Sequence, residues 1–153
     1  MVKVGDAAPQ VAFEGPGGGE TTLAAWAGKP LVLYFYPKDD TTGCTREAQD
    51  FTALADDFAA AGVALLGVSK DSARKHDNFT RKYHLKVPLG TDADGKLLEA
   101  FGAWVEKSMY GRKYMGIERS TFLIGKDGRI VREWRKVKVA GHAAEVLKAA
   151  QAL

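Results

Sequence analysis

The chain of 153 residues has one cysteine, Cys44. That count excludes a disulfide within the chain and any cysteine-rich metal site. Long apolar runs are also missing. The longest, near Leu31 to Pro37 and Val63 to Val68, are far too short to span a bilayer. The opening Met1-Val2-Lys3-Val4-Gly5-Asp6 lacks the apolar core of a signal peptide, so a cytoplasmic location without membrane association is expected. Neither charge sign dominates: 22 Lys and Arg against 19 Asp and Glu leave a formal net charge of +3, which serves solubility and names no partner. The three histidines, His76, His84 and His142, stand in no metal-ligand spacing such as H-E-x-x-H, so a structural or surface role is expected for each and no metal is expected. There is no internal repeat and no low-complexity tract.

What is present reads as one ordinary globular domain over residues 1–153, long enough to bury a substantial core. Hydrophobic residues make up 46% and charged ones 27%, as in soluble proteins generally. Glu14-Gly15-Pro16-Gly17-Gly18-Gly19-Glu20 lacks the Lys-Ser/Thr ending of a P-loop, and a hairpin turn between Val11-Phe13 and Thr21-Thr22 is expected. Leu31 to Tyr36 is a short β-rich apolar run stopped by Pro37, which predicts a buried central strand. Ala48, Phe51, Leu54, Ala55 and Phe58 follow helical spacing and predict one helix from about Cys44 to Ala61, capped by Thr41 or Thr42 and stopped by Gly62. Val63 to Ser69 predicts a second buried strand, parallel to the first. Further expectations are a helix over Asp71 to Tyr83 and a short edge strand at Val87-Pro88-Leu89. A short helix over Asp94 to Phe101 follows. Asp127-Gly128 sits between Ser120-Ile124 and Arg129-Trp134, a hairpin signal, and Ala143 to Leu153 predicts a closing helix. The sum is an α/β domain with a mixed central sheet.

A lone cysteine is usually a small buried hydrophobe. The setting of Cys44 argues otherwise. It follows the C-terminal end of the central strand and a polar loop, Lys38-Asp39-Asp40-Thr41-Thr42-Gly43, and it falls in the first turn of a helix. Reactive groups collect at that end of parallel strands. The free N–H groups of a helix start carry partial positive charge and favour a thiolate, the nucleophilic form. Gly43 lets backbone approach a ligand closely. Thr41 has a hydroxyl to offer to the sulfur or to a bound oxygen. A peroxide requires an aligned nucleophile, donors for its two oxygens and a shielded pocket, and Pro37-x-x-x-Thr41-x-x-Cys44 has residues suited to all three.

Pro37-Lys38-Asp39-Asp40-Thr41-Thr42-Gly43-Cys44 resembles the P-x-x-x-T-x-x-C signature of peroxiredoxins. Gly5-Asp6-Ala7-Ala8-Pro9 resembles the opening of that family, and Gly28-Lys29-Pro30 leading into Leu31-Tyr36 resembles its central strand. Gly116 to Ile124 resembles the strand that carries its active-site arginine. The subfamily most resembled is the bacterioferritin comigratory protein, or peroxiredoxin Q. The resemblance implies a thioredoxin-like fold and a site of Pro37, Thr41, Cys44 and Arg119. It also implies reduction of hydrogen peroxide and organic hydroperoxides through a Cys44 sulfenic acid, without a cofactor, in a monomer or weak dimer. Gly43 and Thr42 would help to bind substrate, and Glu47, one helical turn after Cys44, is placed to pair with Arg119 or to remain an exposed helix charge.

The chain departs from that pattern in two places. Many subfamily members carry a second, resolving cysteine five residues after the first or in the next helix; here Gln49 stands at the first position and Asp71 to Tyr83 holds none. The sulfenic acid then requires an external thiol (a thioredoxin, a glutaredoxin or a small-molecule thiol) or a disulfide between two chains. Slow reset also invites further oxidation to sulfinic acid and keeps open a sensor or chaperone-like role. Thr42 stands where proline is usual. Two other features have bland readings. The basic stretch Lys126 to Lys138 is expected to be a half-buried strand with a solvated charged face, not a nucleic-acid site. Trp26, Phe101, Trp104 and Tyr110 are expected to pack in the core, with a pocket mouth or self-association surface as the alternative.

Overall fold

A computed structural model describes residues 2–153. The run after Pro30 forms β3 (Leu31–Phe35), and all five of its residues are buried. Its side chains alternate between two cores, as a strand requires. Leu31, Leu33 and Phe35 join Leu66, Val68, Phe101 and Phe122 on one face. Val32 and Tyr34 join Phe51, Phe58, Phe79 and Val146 on the other. Each large apolar side chain so buried contributes about 1.5–3 kcal/mol, so β3 is the strand around which both layers assemble.

The remaining strands of the main sheet are β1 (Phe13–Glu14), β2 (Glu20–Thr21), β4 (Ala64–Ser69), β5 (Leu89–Thr91), β8 (Ser120–Ile124) and β9 (Ile130–Trp134). They lie in the order β2-β1-β5-β4-β3-β8-β9. β3, β4 and β5 run parallel, while β8 pairs antiparallel with β3, and β9 with β8. β6 (Trp104–Met109) and β7 (Arg112–Ile117) form a separate antiparallel hairpin. The helices are α1 (Thr42–Ala53), α2 (Ala55–Ala60), α3 (Ala73–Tyr83), α4 (Lys96–Ala100) and α5 (His142–Gln151). A mixed sheet between helical layers is the thioredoxin-like arrangement expected from the sequence.

Several elements differ from expectation. The helix expected over 44–61 starts at Thr42 and breaks at Leu54 into α1 and α2. No glycine or proline marks the break, and the rings of Phe51 and Phe58 pack tilted across it at 5.9 Å between centroids. The expected edge strand at 87–89 lies at 89–91 and is interior: β4 pairs with it on one side and β1 on the other through Glu14 and Thr91. Pro88 falls just before the strand, where its missing N–H costs no ladder bond. The β6–β7 hairpin lay outside the sequence-based elements. Its turn, Tyr110-Gly111, takes positive φ at both residues (50° and 78°), the geometry that suits a two-residue hairpin. Tyr110 is consequently 99% exposed at the tip, against the expectation of core packing, whereas Phe101 is fully buried. Trp26 is half-buried and stacks on Phe13, and Trp104 is half-buried with the Lys70 ammonium over its ring. β9 is an edge strand with Val131 and Arg132 exposed, so its charged face is solvated but the alternation is imperfect.

Candidate active site

α1 opens directly beyond the C-terminal end of β3, and six residues bridge the two. Thr41 is the N-cap, with extended φ −104° and ψ 157°. The Thr45 N–H donates to the Thr41 carbonyl at 2.8 Å, closing the first turn. The N–H groups of Thr42, Gly43 and Cys44 precede that bond, so they are the free donors of a helix start. Cys44 is therefore the third residue of α1, and it is 2% exposed.

Arg119 reaches this turn from the short link between β7 and β8, where its carbonyl accepts from the Val137 N–H at 2.9 Å. Its Nη2 donates to Cys44 Sγ at 3.3 Å, and its Nη1 to Glu47 Oε1 at 2.6 Å. Cys44 and Glu47 lie three apart on α1, hence on one face, so one forked guanidinium spans both. Gly43 makes that approach feasible: a Cβ there would stand 3.2 Å from Arg119 Nη2. Its φ is not in the left-handed region, so the glycine serves space here, not backbone freedom.

Glu47 is 1% exposed, and its Oε2 has no hydrogen-bond partner in the protein. Burial pushes its pKa up to about 7, although Arg119 pulls the other way. Burial also opposes charge on Arg119, but the charges of Glu47 and Cys44 outweigh it and the guanidinium is held more firmly protonated than usual. Tyr34 on β3 also has a buried hydroxyl without a protein partner. Burial raises its pKa well above the ordinary value, and the neighbouring Glu47 and Cys44 charges add to this.

The structure brings Cys44, Arg119 and Glu47 into contact, including the Glu47–Arg119 pairing that the sequence left open. The other expected site residues lie on the loop and the helix start that lead to Cys44. Pro37, Thr41 and Thr42 are exposed, and Gly43 is half-buried. The Thr41 hydroxyl donates to the Lys38 carbonyl at 2.8 Å. Its proton is thereby engaged, which leaves the oxygen lone pairs free to accept. Gln49 is exposed on α1.

Sequence reasoning passed over Lys107. It sits on β6 opposite Tyr114, and its side chain passes close to Gly116. Burial lowers its pKa and the charge of Arg119 lowers it further, while the Cys44 charge opposes them. The Tyr110-Gly111 turn flanked by Lys107 and Tyr114 was the available signal, but the hairpin had to be recognised first. Among the described residues no cluster of three or more His, Cys, Asp or Glu is arranged to hold a metal, and no helix is long and apolar enough to cross a membrane.

Residues 4–133 match the AhpC/TSA family. The chain is 53% identical to peroxiredoxin Bcp of Xanthomonas campestris pv. campestris over 94% of this chain and 92% of that one. It is 48% identical to peroxiredoxin Bcp of Bacillus subtilis over 96% and 94%. A solved structure of the Xanthomonas campestris bacterioferritin comigratory protein, described for its alkyl peroxide reduction activity, superposes with a TM-score of 0.90 at 49% identity, covering 99% of this chain and 97% of that one. With one cysteine set against a forked arginine at a helix start, and with this likeness along nearly its whole length, the chain belongs to the peroxiredoxins, thiol-dependent peroxidases of the AhpC/TSA family, in the Bcp/peroxiredoxin Q branch.

Proposed function

We propose that residues 1–153 act as one catalytic domain in which Cys44 is the peroxidatic nucleophile toward hydrogen peroxide and organic hydroperoxides. The observation that carries this is the 3.3 Å contact of Arg119 Nη2 with Cys44 Sγ at the start of α1. The thiolate attacks one peroxide oxygen. The S–O bond forms as the O–O bond breaks, and the departing oxygen takes a proton and leaves as water or an alcohol. Arg119 and the free N–H groups of Gly43 and Cys44 stabilise the developing oxyanion. The Thr41 hydroxyl, with its own proton on Lys38, accepts from the peroxide O–H and so aligns the O–O bond with the sulfur. The Pro37 ring shields one side of the site, and Thr42 completes its rim. Glu47 holds Arg119 in place. The alkyl peroxide reduction described for the Xanthomonas campestris relative supports organic hydroperoxides as substrates here as well.

The sulfenic acid is then attacked by an external thiol, giving a mixed disulfide and water, and a second thiol releases Cys44. A thioredoxin, a glutaredoxin or a small thiol fits that step, because the chain has no second cysteine. We place the reaction in the cytoplasm and in a monomer or weak dimer. Single-turnover oxidation by a slight excess of hydrogen peroxide, read by mass spectrometry with a sulfenic-acid trap, tests the reading, with Cys44→Ser as control. Trapping far faster than on a free thiol is expected; a rate no faster than a free thiol sinks it.

A further inference from the structure

A second buried polar constellation stands apart from the Cys44–Glu47–Arg119 group. It joins the end of β3, the loop after it and α3. Asp39 Oδ1 accepts from the Tyr36 hydroxyl, and Asp39 Oδ2 shares a hydrogen bond of 2.6 Å with His76 Nδ1. His76 Nε2 lies 2.9 Å from the Gly90 carbonyl oxygen. A carbonyl only accepts, so Nε2 carries hydrogen. The Asp39 N–H donates to Asp71 Oδ2 at 2.8 Å, and the Ser69 hydroxyl donates to the same oxygen at 2.7 Å. The side chains of Asp39 and His76 are each 5% exposed. Burial keeps the Tyr36 hydroxyl protonated and hence a donor.

Apolar side chains would fill such a space at least as favourably, whereas a fully bonded polar network confers rigidity and one geometry. The geometry at stake is that of the loop. Asp39 is the midpoint between Pro37 and Thr41. Its neighbour Asp40 takes a left-handed φ of 58°, unusual for a residue with a side chain, so the loop requires holding. A second link to α3 runs from Asp40 to Lys82 and Tyr83, but it is exposed, and exposed pairs hold weakly. The buried link is therefore the one that sets where the loop stands.

We propose that His76 is a positioning residue for peroxide reduction: through Asp39 it fixes the Pro37–Thr41 loop so that the Thr41 hydroxyl meets a peroxide in line with the Cys44 sulfur. This rests on the peroxidase reading of Cys44. The two ring nitrogens of His76 act separately. The amide nitrogen of asparagine reaches the place of Nδ1, and that of glutamine the place of Nε2. His76→Asn therefore keeps the bond to Asp39, and His76→Gln keeps only the bond to Gly90.

For the parent and both variants, the rate of Cys44 oxidation by hydrogen peroxide is measured beside its rate of alkylation by iodoacetamide, with folding checked by circular dichroism. Alkylation requires the thiolate but not the alignment of an O–O bond. His76→Gln is expected to lose about 10- to 100-fold in the peroxide rate with alkylation near the parental rate, and His76→Asn is expected to retain most of the peroxide rate. Equal peroxide rates in His76→Gln and parent overturn the proposal. So does a parallel fall of both reactions, or an Asn variant as slow as the Gln variant. Should His76→Gln fail to fold, the ratio of the two rates in His76→Asn decides: a parental ratio supports the proposal and a fallen ratio overturns it. A parent that alkylates readily but meets peroxide no faster than a free thiol sinks the peroxidase reading itself, an outcome distinct from the failure of His76.

Discussion

Arg119 donates from one nitrogen to the sulfur and from the other to Glu47, a division that only a forked group permits. Arg119→Lys keeps the charge but has a single nitrogen for both partners. Its rate of oxidation by hydrogen peroxide is expected to fall by about 10²-fold, a loss typical when one oxyanion-stabilising donor goes; stopped-flow measurement checks this, and a parental rate would refute the role. Glu47 has a stability consequence as well. Its pKa in the fold is raised from 4.5 to about 7, so the native state holds the proton more tightly than the unfolded chain. Its stabilising contribution is complete below about pH 4.5 and is lost as pH rises through about 7. His142 has the opposite slope: burial lowers its pKa from 6.5 to about 4, so its contribution is present above 6.5 and is lost as pH falls through about 4. The difference between parent and Glu47→Gln isolates the first effect. Relative to parent, the thermal midpoint of Glu47→Gln is expected to gain as pH rises from about 4.5 to about 7. A constant difference across that window would contradict the assignment.

At the scale of elements, the start of α1 decides the chemistry. Thr42 is its first helical residue, where the N–H has no helical partner and proline is favoured. Thr41 before it already has the extended backbone that a following proline demands. Thr42→Pro is accordingly expected to stabilise the fold by about 0.4–1 kcal/mol, measured by urea unfolding. Destabilisation would show that Thr42 does more than occupy the turn. The break between α1 and α2 and the β6–β7 hairpin arise at this scale too. Neither is set by local propensity. Phe51 and Phe58 pack on either side of the first, and the second carries Lys107 on a segment with no strong strand pattern.

For the whole molecule, the burial of Cys44 is the controlling fact. At 2% exposure its sulfur admits a small peroxide more readily than a second protein chain. Joining the sulfurs of two copies requires both helix starts to open, whereas attack by an external thiol requires only one to open. Peroxide treatment without a thiol is therefore expected to yield little disulfide-linked dimer on non-reducing gels, and instead a chain heavier by two oxygen atoms, the sulfinic acid. A dominant dimer band would reverse this and make Cys44 its own resolving partner.

The sequence by itself determined the family, the α/β class and the catalytic cysteine, because these depend on local signals. A β-rich run ends at Pro37, a polar loop leads into an amphipathic helix, and Cys44 falls in its first turn. Arg119 was legible only through the motif around it, since nothing local distinguishes it from a surface arginine. Tertiary structure decided what no spacing encodes. It set a buried Glu47 and a partly buried Arg119 together beside one sulfur, moved the 89–91 strand from edge to interior by pairing it with β1, and joined His76 to Asp39 across 37 residues of chain. The physical reason is the same in each case: helix and turn signals act over a few residues, whereas ion pairs, strand neighbours and buried networks depend on which distant segments the core brings together.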